Sequence, residues 1–498
     1  MKPRIAAVAF TLGLAGCAVG PGYHPAQVVP ATTRVGAGSR SDSARAFFDS
    51  LAAARAADSA RPVPPALPPR ALATDSIADL AWLDILRDSA LTRLVATALR
   101  QNRDLALARA RIREYRAAAG VARSPLFPSL ALNGSTSTNK IALGSFAPVS
   151  YHAWRVTADV AWELDFWGGT RRGLQAAQAD LSAQEAAARA VVLSLVSDVA
   201  SGYLQLLELD QERAVAERTL ATRGVTLDLA RQRYARGVIS ELDVRQFEAQ
   251  VAVPAARLAQ VEQQRAQEEH ALNVLLGAAP ATIVRGTSLA QAVRAVIVPD
   301  SLPGTLLERR PDVREAERAY AAATARVGVA DAARLPKITI IGSSGSQAAT
   351  SGGLFTSQTD VYQLQAGVSI PLFTGGKLIN VARAARARAE EARAAYEQTA
   401  LTALREAGDA LAGVRAARDQ VAAQDTQAKA LRRALQLAEA RYRAGVANYL
   451  EVLDSQRSLF EAELALSQAQ LLQLTAAVQL YKALGGSWSG DGEGAETR

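Results

Sequence analysis

The chain has 498 residues, 56 Lys and Arg against 48 Asp and Glu, 49% hydrophobic residues and 5% aromatic ones. That length buries large cores, but an alanine-rich, aromatic-poor composition favours long helices over the packed core of an enzyme. The net charge of +8 does not make a nucleic-acid surface, because the arginines sit beside glutamates along helical stretches, a single cysteine excludes an intrachain disulfide, and His24, His152 and His270 lie too far apart to suggest a metal site.

At the N-terminus, Lys2 and Arg4 precede an apolar stretch at 5–14, followed by Leu14-Ala15-Gly16-Cys17. This is a signal-peptide pattern ending in a cysteine, and it resembles a bacterial lipobox in which Cys17 is acylated and becomes the first mature residue. The alternative is an ordinary signal peptide with an incidental thiol. Ala18 follows the cysteine where an aspartate would retain a lipoprotein in the inner membrane, which favours the outer membrane. After the leader, no apolar run reads as long enough to cross a bilayer as a helix. Strands would therefore do any crossing.

Residues 17–80 are rich in Pro, Ala, Ser and Arg, densest in proline at 62–69, and read as an extended, lipid-anchored arm. Beyond it the chain contains itself twice. Asn102-Arg103-Asp104 is echoed by Arg310-Pro311-Asp312, Pro128 by Pro336, and RYxxGV at 233–238 by RYxxGV at 441–446, each pair 208 residues apart. The first repeat is placed at 81–289, the second at 290–486, and a flexible tail at 487–498. Each repeat is predicted to hold a helical stretch (about 88–123 and 305–333), a strand pair and a long helix pair.

The strands carry alternating polarity. Trp154, Val156, Ala158, Val160, Trp162 and Leu164 alternate with Arg155, Thr157, Asp159 and Glu163, and Tyr362, Leu364, Ala366, Val368 and Ile370 alternate with Gln363, Gln365, Gly367 and Ser369. Segments at 129–137 and 337–346 complete two hairpins. Stretches of about ten residues with one apolar and one polar face are what a membrane barrel with a wet lumen needs. A half-buried soluble sheet is the alternative. Four strands cannot close a barrel alone, so insertion requires several copies of the chain.

Between 151 and 253 there is no proline, and 170–236 is long enough for a rod of about 100 Å. Pro254 is expected to kink or interrupt the next helix. In the last helix Leu450, Leu453, Phe460, Leu464, Leu471, Leu474, Val478 and Tyr481 form a heptad seam, and Val452, Leu459, Leu466 and Leu480 a second one. Two seams imply neighbours on two sides, as in a closed tube of helices.

Taken together these features resemble the TolC-type outer-membrane efflux channels, in their lipoprotein, NodT-type branch. The likeness rests on CAVGPGY at 17–23, LLERRPDV at 306–313, and the junctions FWGG at 166–169 and PLFTGG at 371–376, in that order along nearly the whole chain. It implies a mainly α protein with long coiled-coil-like helices forming a trimeric α-barrel, and four strands per chain contributing to a 12-stranded trimeric membrane β-barrel. It implies a homotrimer that works with a periplasmic adaptor (a membrane fusion protein) and an inner-membrane pump, as the passive duct of a tripartite efflux system. No enzymatic activity and no cofactor beyond the lipid on Cys17 are expected. The two RYxxG turns become adaptor-docking tips, comprising Gly237, Val238 and Ile239 in one repeat and Gly445, Val446 and Ala447 in the other. Acids just past them become the periplasmic gate: Asp454 foremost, with Asp243 and Glu451, and with Arg457 and Tyr442 as clamps. A ring of like charges at that neck is expected to raise the pKa of its members. Ala447 stands where some members carry an arginine. A type I secretion duct is the neighbouring alternative, and a lipidated coiled-coil adaptor the alternative from another class.

Overall fold

The computed structural model describes residues 19–23, 34–36, 45–46, 49–50, 88–141, 148–292, 301–303, 309–444, 446–447 and 449–486. Cys17 with its leader, the proline-dense run, Gly445 and the tail from 487 lie outside the described residues.

In chain order the larger elements are α1 (Ser89–Gln101), α2 (Arg103–Arg123), β1 (Ser129–Ile141), β2 (Val149–Leu164), α3 (Gly169–Ala235), α4 (Glu241–Leu275), α5 (Pro311–Ala332), β3 (Lys337–Ala348), β4 (Asp360–Ser369), α6 (Lys377–Arg443) and α7 (Tyr449–Ala483). The duplication is written into their boundaries. The 67-residue helices α3 and α6 start at 169 and 377, and the 35-residue helices α4 and α7 start at 241 and 449. Both offsets equal the sequence repeat.

The chain divides into two compact units. One comprises residues 1–27, 109–187 and 314–399, and the other 28–108, 188–313 and 400–498. The first unit holds a four-stranded antiparallel sheet in the order β1-β2-β3-β4. Its register pairs Leu130 with Val160, Val160 with Gly342, and Gly342 with Leu364, while Ala131, Asp159, Ser343 and Gln363 line up on the other face. The alternation predicted along single strands is thereby combined into one apolar and one polar face. On the polar face Asn133 Nδ2 donates to Asp159 Oδ2 at 2.6 Å. Among the described residues β1 and β4 each have one strand neighbour, so each leaves an open edge.

The second unit has its core where α1, α3, α4 and α7 meet, around Leu91, Val199, Tyr203, Leu206, Leu272, Leu474 and Val478. Asp88 caps α1 by accepting from Ala90 N at 2.8 Å, and it also accepts from the Tyr203 hydroxyl at 2.7 Å. Members of both predicted seams of α7 are buried within this one chain: Phe460, Leu474 and Val478 from the first, Val452 and Leu480 from the second.

Four expectations change. The stretch 88–123 is two helices, because Asn102 leaves helical geometry, caps α2 by accepting from Leu105 N at 2.9 Å, and donates to Leu275 O at 3.0 Å; asparagine competes for caps in this way. Among the described residues the second repeat's first helix starts at Pro311, with proline in the first-turn position its fixed φ suits, and residues 305–308 of the expected stretch lie outside the described residues. Pro254 does not interrupt its helix, since α4 runs through it to Leu275. Finally, α3 contains an 18-residue stretch that is apolar and long enough to cross a membrane by composition, and half of that stretch is buried inside the chain. Burial of this kind accounts for its apolarity by packing.

Candidate functional site

The turns that join the long helices are built from the RYxxG motifs. After α3, Gly237 takes φ +68°, Gly237 N donates to Tyr234 O at 2.8 Å, and Val238 N donates to Arg233 O at 3.0 Å. This is the Schellman closure, which needs a left-handed residue that only glycine adopts without strain. After α6 the equivalent long bond is present, from Val446 N to Arg441 O at 3.1 Å. Gly445 itself is outside the described residues. Val238 and Val446 stand 66% and 68% exposed, whereas Ile239 is half-buried against the cluster of Leu227, Ala230, Val244 and Phe247. Ala447 is half-buried too.

The acids past these turns have distinct partners. Asp243 closes a capping box at the start of α4: its carboxylate accepts from Ser240 N at 2.9 Å and from Ser240 Oγ at 2.8 Å, while Asp243 N donates to Ser240 Oγ at 3.3 Å. Those hydrogen bonds hold the Asp243 carboxyl below its ordinary pKa. The upward shift anticipated for a crowded ring is therefore not a property of Asp243 within one chain. Its capping partner was visible in the sequence as Ser240-x-x-Asp243. Glu451 lies 3.5 Å from Arg441, and Asp454 accepts from Arg457 Nη2 at 2.9 Å with both side chains largely exposed.

Tyr442 is engaged elsewhere. Its hydroxyl accepts from Arg233 Nη1, and the Arg233 guanidinium also lies over its ring, 5.6 Å from the centroid. Tyr442 packs edge-on against Tyr449 at 5.0 Å, and Tyr449 against Phe247 at 4.5 Å. An Arg-Tyr-Tyr-Phe stack thus ties the end of α3 to the end of α6 and the starts of α7 and α4. Arg457 meets Asp454, and Tyr442 meets Arg233. Tyr449 and Phe247 were not singled out by sequence, and Arg233 only as the first position of its motif. The signal available was the basic first position shared by both RYxxG motifs.

Arg310 and Asp312, in the described part of the LLERRPDV segment, anchor the other end of the helix pair. Arg310 Nη1 donates to Ala483 O at 3.0 Å at the end of α7, Arg310 Nη2 to Asp312 Oδ2 at 2.6 Å, and the same nitrogen to Glu406 Oε2 at 2.7 Å on α6. Burial opposes the charge of Asp312, and the Arg310 guanidinium outweighs it, holding that carboxyl below its usual range.

The architecture of a strand pair and a rod pair in duplicate has known counterparts. The model of the outer membrane efflux protein family matches residues 94–278 and 302–486, once in each repeat. The chain belongs to this family. It is 34% identical over 431 residues to the pyoverdine export outer membrane protein OpmQ of Pseudomonas putida, covering 85% of this chain and 91% of that protein. It is 36% identical over 413 residues to the solvent efflux pump outer membrane protein SrpC of Pseudomonas putida, covering 82% and 87%. Among solved structures, the outer-membrane channel OprN superposes with a TM-score of 0.80 at 30% identity, covering 95% of this chain and all of that one. The chain is accordingly an outer-membrane channel component of an efflux pump, with the mainly α, strand-bearing and duplicated fold expected from its sequence.

Proposed function

We propose that the chain acts as a passive, gated, homotrimeric duct for small toxic compounds, without a catalytic step, anchored in the outer membrane by a lipid on Cys17. The observation that carries this reading is the four-stranded sheet with two open edges and an apolar face. Unpaired edges do not persist in hydrocarbon, so the edge of β4 in one copy pairs with β1 of the next until the ring closes. The two repeats, assigned to 81–289 and 290–486, bring two equivalent tips per chain to the periplasmic end. There the exposed Val238 and Val446, with Gly237, Ile239, Gly445 and Ala447, form docking points for a periplasmic adaptor that joins the duct to an inner-membrane pump.

Asp454, with Asp243 and Glu451, lines the neck of the duct in this reading. The Asp454–Arg457 pair at 2.9 Å and the Arg233–Tyr442 stack hold the neck shut until an adaptor docks. Exposed ion pairs of this kind are individually weak, about 0.2–1 kcal/mol, which suits a contact that must break during transport. Recording single channels of the purified protein in planar bilayers tests the gate. Asp454→Ala is expected to raise the basal conductance and weaken cation preference. Unchanged conductance and selectivity would remove Asp454 from the neck.

A further inference from the structure

Pro254 sits in the interior of α4, buried, and has no N–H for the Gln250 carbonyl four residues before it. The orphaned carbonyl does have a donor. Arg223, on α3, directs Nη1 to Gln250 O at 2.7 Å and Nη2 to Gln456 O, on α7, at 3.5 Å. The side chain is 3% exposed, and its guanidinium lies over the Phe460 ring at 5.5 Å. Among the described residues its hydrogen-bond partners are these two carbonyls, and no carboxylate makes an ion pair with it. Burial penalises this cation, and the Glu461 charge offsets that penalty only in part, without an ion-pair contact. Such a cation is tolerated where it satisfies a backbone acceptor that has lost its own donor, as Gln250 O has.

The internal duplication supplies a natural control. At the matching positions 208 residues on, Pro254 is replaced by Ala462 and Arg223 by Leu431. Ala462 is buried in an unbroken helix that keeps its own ladder of bonds. The repeat without the proline is also the repeat without the arginine.

We propose that Arg223 is a positioning residue of the channel, whose guanidinium replaces the backbone N–H missing at Pro254 and thereby ties α4 to the stretch of α7 that carries Asp454 and Arg457. Gln456 lies between those two residues in sequence, so the clamp reaches the segment read above as the gate. The part of the inference that concerns conductance rests on that reading, while the exchange of one donor for another does not. The clamp also explains why α4 runs through its proline. The missing rung is replaced from outside the helix.

The test compares Arg223→Leu, Pro254→Ala and the double variant, using hydrogen exchange of the α4 amides near residues 250–260 and basal conductance of the purified channel. Arg223→Leu is expected to speed exchange there by about 10-fold or more, the value of a charge-assisted bond to a buried carbonyl. Adding Pro254→Ala returns the N–H and should bring exchange back to within about 2-fold of the original protein. Arg223→Lys, which keeps one donor and the charge, should fall between and serves if the leucine variant does not fold. A double variant that exchanges as fast as Arg223→Leu alone overturns the clamp, because Arg223 would then matter only for packing. Basal conductance should rise in Arg223→Leu and fall again in the double variant. If Asp454→Ala leaks and Arg223→Leu does not, the positioning role is overturned. If neither leaks but exchange follows the expected pattern, the clamp stands and the gate reading fails.

Discussion

Two carboxyl groups one helical turn apart on α3 show how burial sets chemistry. Glu208 and Glu212 are 2% and 1% exposed; Arg257 pairs with Glu212, and Gln468 Nε2 donates to Glu212 Oε1 at 3.3 Å. Gln205 Nε2 donates to Glu208 Oε2 at 3.3 Å, while among the described residues Glu208 Oε1 has no hydrogen-bond partner. Burial first, and the Glu212 charge second, push the Glu208 carboxyl up to about 8. Its folded value lies above its unfolded value, so the folded protein holds a proton that the unfolded chain has lost. This contribution weakens stability progressively as pH rises from the ordinary carboxylate range towards 8, and is constant beyond. Glu208→Gln keeps the shape without the titration. Its melting temperature should exceed that of the original protein by more at pH 8.5 than at pH 5, at roughly 2–4 °C per kcal/mol for a unit of this size. A gap independent of pH would show that Glu208 is not protonated at neutrality. Asp312 has the opposite sign: held low by Arg310, it loses its contribution as pH falls.

Among the elements, the sheet makes the sharpest demand. Leu364 and Gln363 are neighbours in β4, yet Leu364 joins the row of Leu130, Val160 and Gly342, and Gln363 the row of Ala131, Asp159 and Ser343. If the first row faces lipid and the second a wet lumen, the same substitution has unequal costs at adjacent positions. Leu364→Arg should cost about 2–4 kcal/mol near the bilayer midplane, while Gln363→Arg should be nearly neutral. Denaturant unfolding in lipid micelles, together with the yield in the outer-membrane fraction, reads both. Equal costs at the two positions would contradict the assignment of the faces. The long helices draw on a different source of order. Asp165 caps the start of α3 by accepting from Thr170 N and Arg171 N, each at 2.9 Å, but a cap orders only one turn, and helices of 67 residues persist through packing of apolar side chains.

For the assembled channel, subunit number and anchoring make a joint prediction. Native mass measurement of membrane-extracted protein should give three copies, each heavier than the mature polypeptide by its acyl groups. Cys17→Ser should lose the acyl mass while the threefold assembly persists, because ring closure depends on strand edges and rods. A soluble, lipid-free monomer would refute both. Under the proposed reading, Val238 and Val446, at matching positions in the two repeats, give a trimer six similar apolar tips for adaptors to meet.

Much of this was legible along the chain because it depends on period and repetition. The 208-residue echo recurs as helices with identical lengths, and alternation over 152–164 and 362–370 became faces of a real sheet. Cap chemistry was legible too, in Ser240-x-x-Asp243 and in the RYxxG turns, since it is local. What could not be read is the choice of partner over long distances. Tyr442 bonds Arg233 across 209 positions, and Arg223 serves carbonyls 27 and 233 residues away. A backbone acceptor leaves no mark in the sequence, and a proline that lacks a donor does not name its substitute. Local patterns therefore specified the rods and strands, while packing alone brought Arg223 to the gap in α4 and left Glu208 buried beside a second acid.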